Sequence, residues 1–204
     1  MIKNIIFDFG GVIYDIDHNL NKIAFEKLGV KDFDLLYSHH IQDHLFEDFE
    51  TGNLSEAEFR RGFRKYLPKS ISDQELDHAW CSLLKGVQRE KIDLLQQLRE
   101  NYQLYLLSNT TIIHYRHFIK ELNLITDFRD LFHGIYFSHE MGMRKPNRRF
   151  YLKVLEDHRL MAQECLFIDD LEANILAAKE LGFHTYYLHQ ESILDLFENG
   201  IWRL

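Results

Sequence analysis

Residues 2–11, IKNIIFDFGG, decide how the chain is read. A short apolar run rich in isoleucine ends in an acid, Asp8, and then in Phe9 and a glycine pair, Gly10 and Gly11. Runs of this kind bounded by glycine read as strands buried on both faces. The theme returns at 104–107 (LYLL), 134–138 (GIYFS), 165–168 (CLFI) and 184–188 (HTYYL). Helical segments lie between them. Residues 89–101 carry apolar side chains at 92, 94, 95 and 98, a 3.6-residue period. Segments 147–160 and 171–181 are similar, and Gly182 reads as a helix stop. Strand and helix alternate from 89 onward, which predicts an α/β fold: a doubly wound, Rossmann-like parallel sheet covered on both faces.

The stretch from 16 to 88 reads differently, as helix after helix with no convincing strand. Ser55 with Glu58, and Ser72 with Glu75, have the spacing of capping boxes. The expected organisation is therefore a core of residues 1–15 and 89–204 with a helical insertion at 16–88. No repeat or low-complexity segment is present.

Composition narrows the function classes. The 204 residues include 16 Phe, 10 Tyr and only 2 Pro, which argues against disorder. The net charge of −8, with its densest basic run at 60–65 diluted by Glu56 and Glu58, argues against nucleic acid as a partner. No stretch reaches the ~18 apolar residues of a membrane span. The opening apolar run is broken by Asp8 and Asp15, and no small-residue cleavage site follows, so it does not read as a signal peptide. Cys81 and Cys165 fit no metal or redox spacing and read as buried reduced thiols, in keeping with a cytoplasmic location. A monomer or weak homodimer is expected.

In an open parallel sheet, ligands bind beyond the carboxyl ends of the strands. Four polar clusters fall there. Asp8 is fixed by a rigid strand end and can act as a nucleophile, while Gly10 and Gly11 let backbone amides approach a phosphate. An acidic loop residue is the alternative reading. Ser108 and Asn109 precede a helix around 110–120, a natural phosphate seat or plain helix capping. Lys145, followed by Pro146 in the first turn of the next helix, can neutralise phosphate and nucleophile, or be a solvated lysine. Asp169 and Asp170 end a wholly apolar strand. Adjacent acids repel, and as hard oxygen ligands they suit Mg²⁺; Asn174 lies four residues on. Together the clusters make a phosphoryl-transfer set.

These motifs, with VIYDID (12–17), LLSNTT (106–111), MGMRKP (141–146) and FIDDLEANI (167–175), resemble the haloacid dehalogenase-like hydrolase superfamily over essentially the whole chain. The insertion resembles that superfamily's type 1 helical cap. The details are similar to the group of bacterial glucose-1-phosphate phosphatases and the N-terminal phosphatase domain of epoxide hydrolases. The resemblance implies a Mg²⁺-dependent phosphatase acting on a small phosphorylated metabolite through an aspartyl-phosphate. Asp8 would be nucleophile and metal ligand, the Gly10 carbonyl and Asp170 further ligands, and Asp169 a ligand through water. Ser108, Asn109 and Gly11 would hold the phosphate, and Lys145 would bridge it to Asp8.

One position departs from the family pattern. Most phosphatases of this kind carry a second Asp two residues after the nucleophile, as general acid and base; here that residue is Gly10. General acid–base help is typically worth about 10²–10⁴-fold. The loss predicts a preference for leaving groups that need little protonation, such as the anomeric oxygen of a sugar-1-phosphate. Asp15, Asp17 or His18 are alternative proton sources, or simply residues at the entry to the insertion. A 2-haloacid dehalogenase, a phosphomutase and a catalytically silent binding or regulatory protein are the other readings of the same motifs. Within the insertion, Phe46, Glu47, Glu50 and Trp80 are candidates to face the pocket. His39, His40, His44, His114 and His117 lack the HExxH pattern and read as surface or cap histidines.

Overall fold

The structure is a computed structural model and describes residues 1–33, 44–67 and 71–203. Its centre is a five-stranded, all-parallel sheet in the order β5-β4-β1-β6-β7. The strands are β1 (Asn4–Phe7), β4 (Gln103–Ser108), β5 (Gly134–Phe137), β6 (Cys165–Asp169) and β7 (His184–Tyr187). The doubly wound α/β fold expected from the sequence is the fold observed.

The central strands are largely apolar because both faces are covered, while the edge strand β7 is partly exposed. Ile5, Phe7, Leu104, Leu106, Leu166 and Ile168 enter one core. Their alternates Ile6, Tyr105, Leu107, Cys165 and Phe167 enter the other. On the first face lie α5 (Arg89–Leu98) through Ile92, Leu95 and Leu98, and α6 (Ile112–Ile125) through Phe118 and Leu122. On the second, beyond the short α7 (Ser138–Met141), lie α8 (Arg148–His158) through Phe150, Tyr151 and Val154, and α9 (Glu172–Glu180) through Ile175 and Ala178. Both cysteines are free and buried. Burial pushes the Cys81 thiol up to about 12 and the Cys165 thiol up to about 11, so both are poor nucleophiles.

Between β1 and β4 come α1 (His18–Lys27), α2 (Leu45–Glu50), α3 (Glu56–Phe63) and α4 (Asp73–Cys81). These helices bury their own cluster, in which Phe49 stacks on Phe59 at 4.0 Å and Phe46 on Trp80 at 5.3 Å. Both capping boxes form, Ser55 with Glu58 and Ser72 with Glu75. One expectation fails here. The stretch 16–88 does contain strand: β3 (Leu84–Val87) pairs antiparallel with β2 (Tyr14–Ile16), forming a two-stranded ribbon where the helical segment joins the sheet. LKGV has no alternating apolar face, so its pairing depends on a partner 70 residues earlier. A second short ribbon, β8 (Phe197–Glu198) with β9 (Ile201–Trp202), ends the described chain.

The chain runs from β1 through β4 to β5 on one side of the sheet, then crosses to β6 and β7 on the other. The order therefore reverses at β1, the kind of switch point where open α/β sheets place ligands. Phe7 lies level with Leu106 of β4 and Ile168 of β6. That register brings Asp8, Ser108 and Asp169 to one rim.

Candidate active site

Asp8 begins where β1 stops. Its N–H still donates to the Ile168 carbonyl at 2.9 Å, so the residue is held by the sheet while its side chain leaves it. Carboxylate Oδ1 accepts from the Phe9 N–H at 2.7 Å and lies 2.8 Å from Lys145 Nζ. Both contacts fall on Oδ1, and Oδ2 has no hydrogen-bond partner among the described residues.

Lys145 is 1% exposed, and its ammonium also donates to Asp169 Oδ2 at 2.6 Å. Burial works against the ammonium, but Asp169 and Asp8 outweigh it and hold it above its ordinary value. The loop that delivers it is clamped to the end of β4: Asn109 Nδ2 donates to the Lys145 carbonyl at 3.0 Å, and the Lys145 N–H returns a bond to Asn109 Oδ1 at 2.8 Å. Asn109 thus spends its side chain on positioning Lys145.

Asp169 is fully buried and saturated. Oδ1 accepts from the Leu171 N–H at 2.8 Å and from Asn174 Nδ2 at 2.9 Å, while Oδ2 takes Lys145. Asn174 belongs to the set as the residue that fixes Asp169. Asp170 is less constrained, and it is the reason for a glycine at position 11. Gly11 has φ +77°, and a Cβ there would lie 2.1 Å from Asp170 Oδ2. The Gly11 N–H, expected to approach a phosphate, donates instead to the Tyr14 carbonyl at 2.9 Å. Its contribution is room for Asp170.

Two further sequence expectations shift by a few residues. The helix after β4 begins later than 110 because Thr111 is its N-cap, accepting from the His114 N–H; Ser108 ends β4 and Asn109 sits in the loop between. Pro146 likewise precedes the N-cap Asn147 of α8 rather than occupying its first turn. Ser108 is buried at the strand end and lines the cavity.

Asp8, Asp169 and Asp170 each offer an oxygen, and these oxygens lie within 4.8 Å of one another. Burial first, and the neighbouring acids after it, raise the Asp8 carboxyl to about 8 against the pull of Lys145. Burial and then Asp169 raise Asp170 to about 6. The protein alone thus supplies too little positive charge for its three acids. A divalent cation with hard oxygen ligands fits this donor set.

A cavity of about 320 Å³ opens above the cluster. The rest of its wall includes Tyr14, His18, Glu50, Trp80, His114 and Arg144. Two of the candidate proton sources are occupied elsewhere: Asp15 pairs with Lys91 at 2.6 Å, and Asp17 caps α1. His18 does line the cavity. Phe46 is spent in the helical core, and Glu47 lines a separate cleft beside Arg144. His114, expected as a surface or cap histidine, lies on the helix after β4 and lines the cavity; its Nε2 lies 3.0 Å from the Trp80 carbonyl and its ring stacks on Trp80. His44, at the start of α2, is exposed, while His39 and His40 lie outside the described residues. Arg144 was legible in the motif MGMRKP but carried no role of its own.

A family model described as haloacid dehalogenase-like hydrolase matches residues 2–182. The chain belongs to this family. Among its haloacid dehalogenase-like relatives, a D-ribitol-5-phosphate phosphatase of Bacteroides thetaiotaomicron is 36% identical over 191 residues, covering 91% of each chain. A sesquiterpene phosphatase of Aspergillus oryzae is 28% identical over 183 residues, 88% of this chain and 86% of that one. A HAD family enzyme of Bacteroides thetaiotaomicron, solved in complex with magnesium and inorganic phosphate, is 37% identical, with a TM-score of 0.89 over 97% of this chain and 100% of the other. Among the described residues, no helix is long and apolar enough to cross a membrane.

Proposed function

We propose that the chain is a magnesium-dependent phosphatase of small sugar or polyol phosphates that works through an aspartyl-phosphate on Asp8. The observation that carries this reading is the asymmetry of Asp8: Oδ1 is held by Lys145 and the Phe9 amide, and Oδ2, beside the acids at the rim, has no such partner among the described residues. Asp8 Oδ2 attacks phosphorus, forming an acyl phosphate as the bond to the leaving oxygen breaks. Lys145 holds the nucleophile in place and offsets charge on the phosphoryl oxygens. Ser108 and the backbone of Asn109 seat the phosphate. Asp8, Asp170 and the Gly10 carbonyl would hold magnesium, with Asp169 acting through water. When bound, the ion neutralises charge on the transferring group. Water then cleaves the acyl phosphate and frees Asp8.

Residues 16–88, with helices α1–α4, act as a cap over residues 1–15 and 89–204, excluding water during transfer. With Gly10 in place of an acid, an anomeric phosphate is the favoured ester. A primary polyol phosphate is the second reading, supported by the relative named for ribitol 5-phosphate. Comparing glucose 1-phosphate, glucose 6-phosphate and ribitol 5-phosphate decides between them. The reaction itself is tested with p-nitrophenyl phosphate. Hydrolysis should require magnesium, stop in EDTA, and fall more than about 1,000-fold in Asp8→Asn. Undiminished hydrolysis by Asp8→Asn refutes the assignment.

A further inference from the structure

Glu50 and Arg144 reach the cavity from opposite sides. Glu50 is the last residue of α2, on the helical segment, and Arg144 immediately precedes Lys145 on the sheet side. Arg144 Nε lies 2.8 Å from Glu50 Oε2. Both of these atoms are shut off from solvent, yet they are not aligned as a hydrogen bond and have no hydrogen-bond partner among the described residues. The rest of each side chain is open: 25% of the Glu50 surface and 33% of the Arg144 surface remain accessible. Among the described residues no hydrogen-bond partner is seen for Glu50 Oε1 or the terminal guanidinium nitrogens, and both residues line the cavity that holds Asp8 and Ser108.

A charged pair placed in a cavity wall without completing its hydrogen bonds is a poor way to join two elements. It is a good way to leave acceptors and donors facing a ligand. The carboxylate accepts from hydroxyl groups, and the guanidinium fork donates to them. Because Glu50 and Arg144 share one cavity with Asp8 and Ser108, whatever the pair grips lies beside a phosphate seated there. Burial holds the Glu50 carboxyl above its ordinary value despite Arg144, consistent with a group short of partners.

We infer that Glu50 and Arg144 clamp the hydroxyls of the leaving group, so that the enzyme selects polyhydroxylated alkyl phosphates over apolar esters. This inference rests on the phosphatase reading and adds a specificity determinant to it. Hydrogen bonds to charged groups are worth about 1.5–3 kcal/mol, or roughly 10- to 150-fold in kcat/KM.

The test takes the best-used member of a panel of sugar and polyol phosphates and compares it with p-nitrophenyl phosphate, whose leaving group carries no free hydroxyls beyond its ester oxygen. The readout is the ratio of the two kcat/KM values within each variant, so loss of folded protein cancels. Glu50→Ala and Arg144→Ala should each lower this ratio by roughly 10- to 150-fold, chiefly through KM. Glu50→Gln, which keeps hydrogen-bonding atoms, should fall between Glu50→Ala and the wild type. If Arg144→Ala does not fold, Arg144→Lys replaces it and should lower the ratio through loss of the fork. A ratio within threefold of wild type in these variants overturns the inference, whether both substrates fall together or neither falls. Failure of the phosphatase reading looks different, because the wild type then turns over neither substrate.

Discussion

Gly11 is the residue where sequence and site meet most tightly. Its glycine signal was readable, but its purpose was not, because the reason lies in Asp170, 159 positions away. A methyl group at position 11 would have to displace the Asp170 carboxylate and would also hold an alanine at φ +77°. Gly11→Ala should therefore fold, yet bind magnesium at least about tenfold more weakly by calorimetry, a loss near 1.4 kcal/mol. Unchanged affinity would show that Asp170 does not contribute to the metal site. The sequence also misplaced His114. Its neighbours in the chain look amphipathic, and only the approach of Trp80 from α4 puts the imidazole against the cavity. Burial, with a smaller contribution from His117 and His18, lowers its pKa to about 4, although the Trp80 carbonyl favours its charge. In the unfolded chain this imidazole protonates near pH 6.5. Between those values the unfolded state binds more protons, so stability falls as pH falls from 6.5 toward 4. Replacing His114 with Asn should reduce the stability lost between pH 7 and 4.5 by about 2 kcal/mol in urea titrations. An unaltered loss places the acid sensitivity elsewhere.

At the scale of elements, the helix starts were legible because their chemistry is local. Each capping box needs only residues three apart, and both formed as read. Ser55→Ala should cost about 1 kcal/mol in thermal or urea unfolding and leave kcat/KM for p-nitrophenyl phosphate within twofold. A large kinetic effect would mean that α3 steers the site rather than merely supporting its wall. The β2–β3 ribbon was illegible for the opposite reason. Leu84–Val87 carries a lysine and a glycine in four residues, and only hydrogen bonds to Tyr14–Ile16 make it a strand. Gly86, at φ +112°, sits against Glu121, which the Tyr14 hydroxyl also reaches. The junction is therefore tied to α6 by contacts that no local pattern encodes.

For the whole molecule, the three central strands could be read because a parallel sheet covered on both faces demands long apolar runs, and each of these runs ended in a group of distinct chemistry, Asp8, Ser108 or Asp169. What could not be read was division of labour among those groups. Asp169 proved to be a saturated anchor for Lys145, and Asn109 a clamp on the lysine loop. Glu50 and Arg144 lie 94 positions apart, and only the packing of the helical segment over the sheet joins them. The fold thus converts two separated halves of sequence into one site, with Asp8 at the point where strand order reverses.

The decisive measurement is to quench the magnesium-loaded enzyme in acid during turnover of a ³²P-labelled sugar phosphate and map the label by peptide digestion. The account predicts one acid-stable, hydroxylamine-labile phosphate on the peptide containing Asp8, absent from Asp8→Asn. Label on any other residue in an enzyme turning over normally would contradict it.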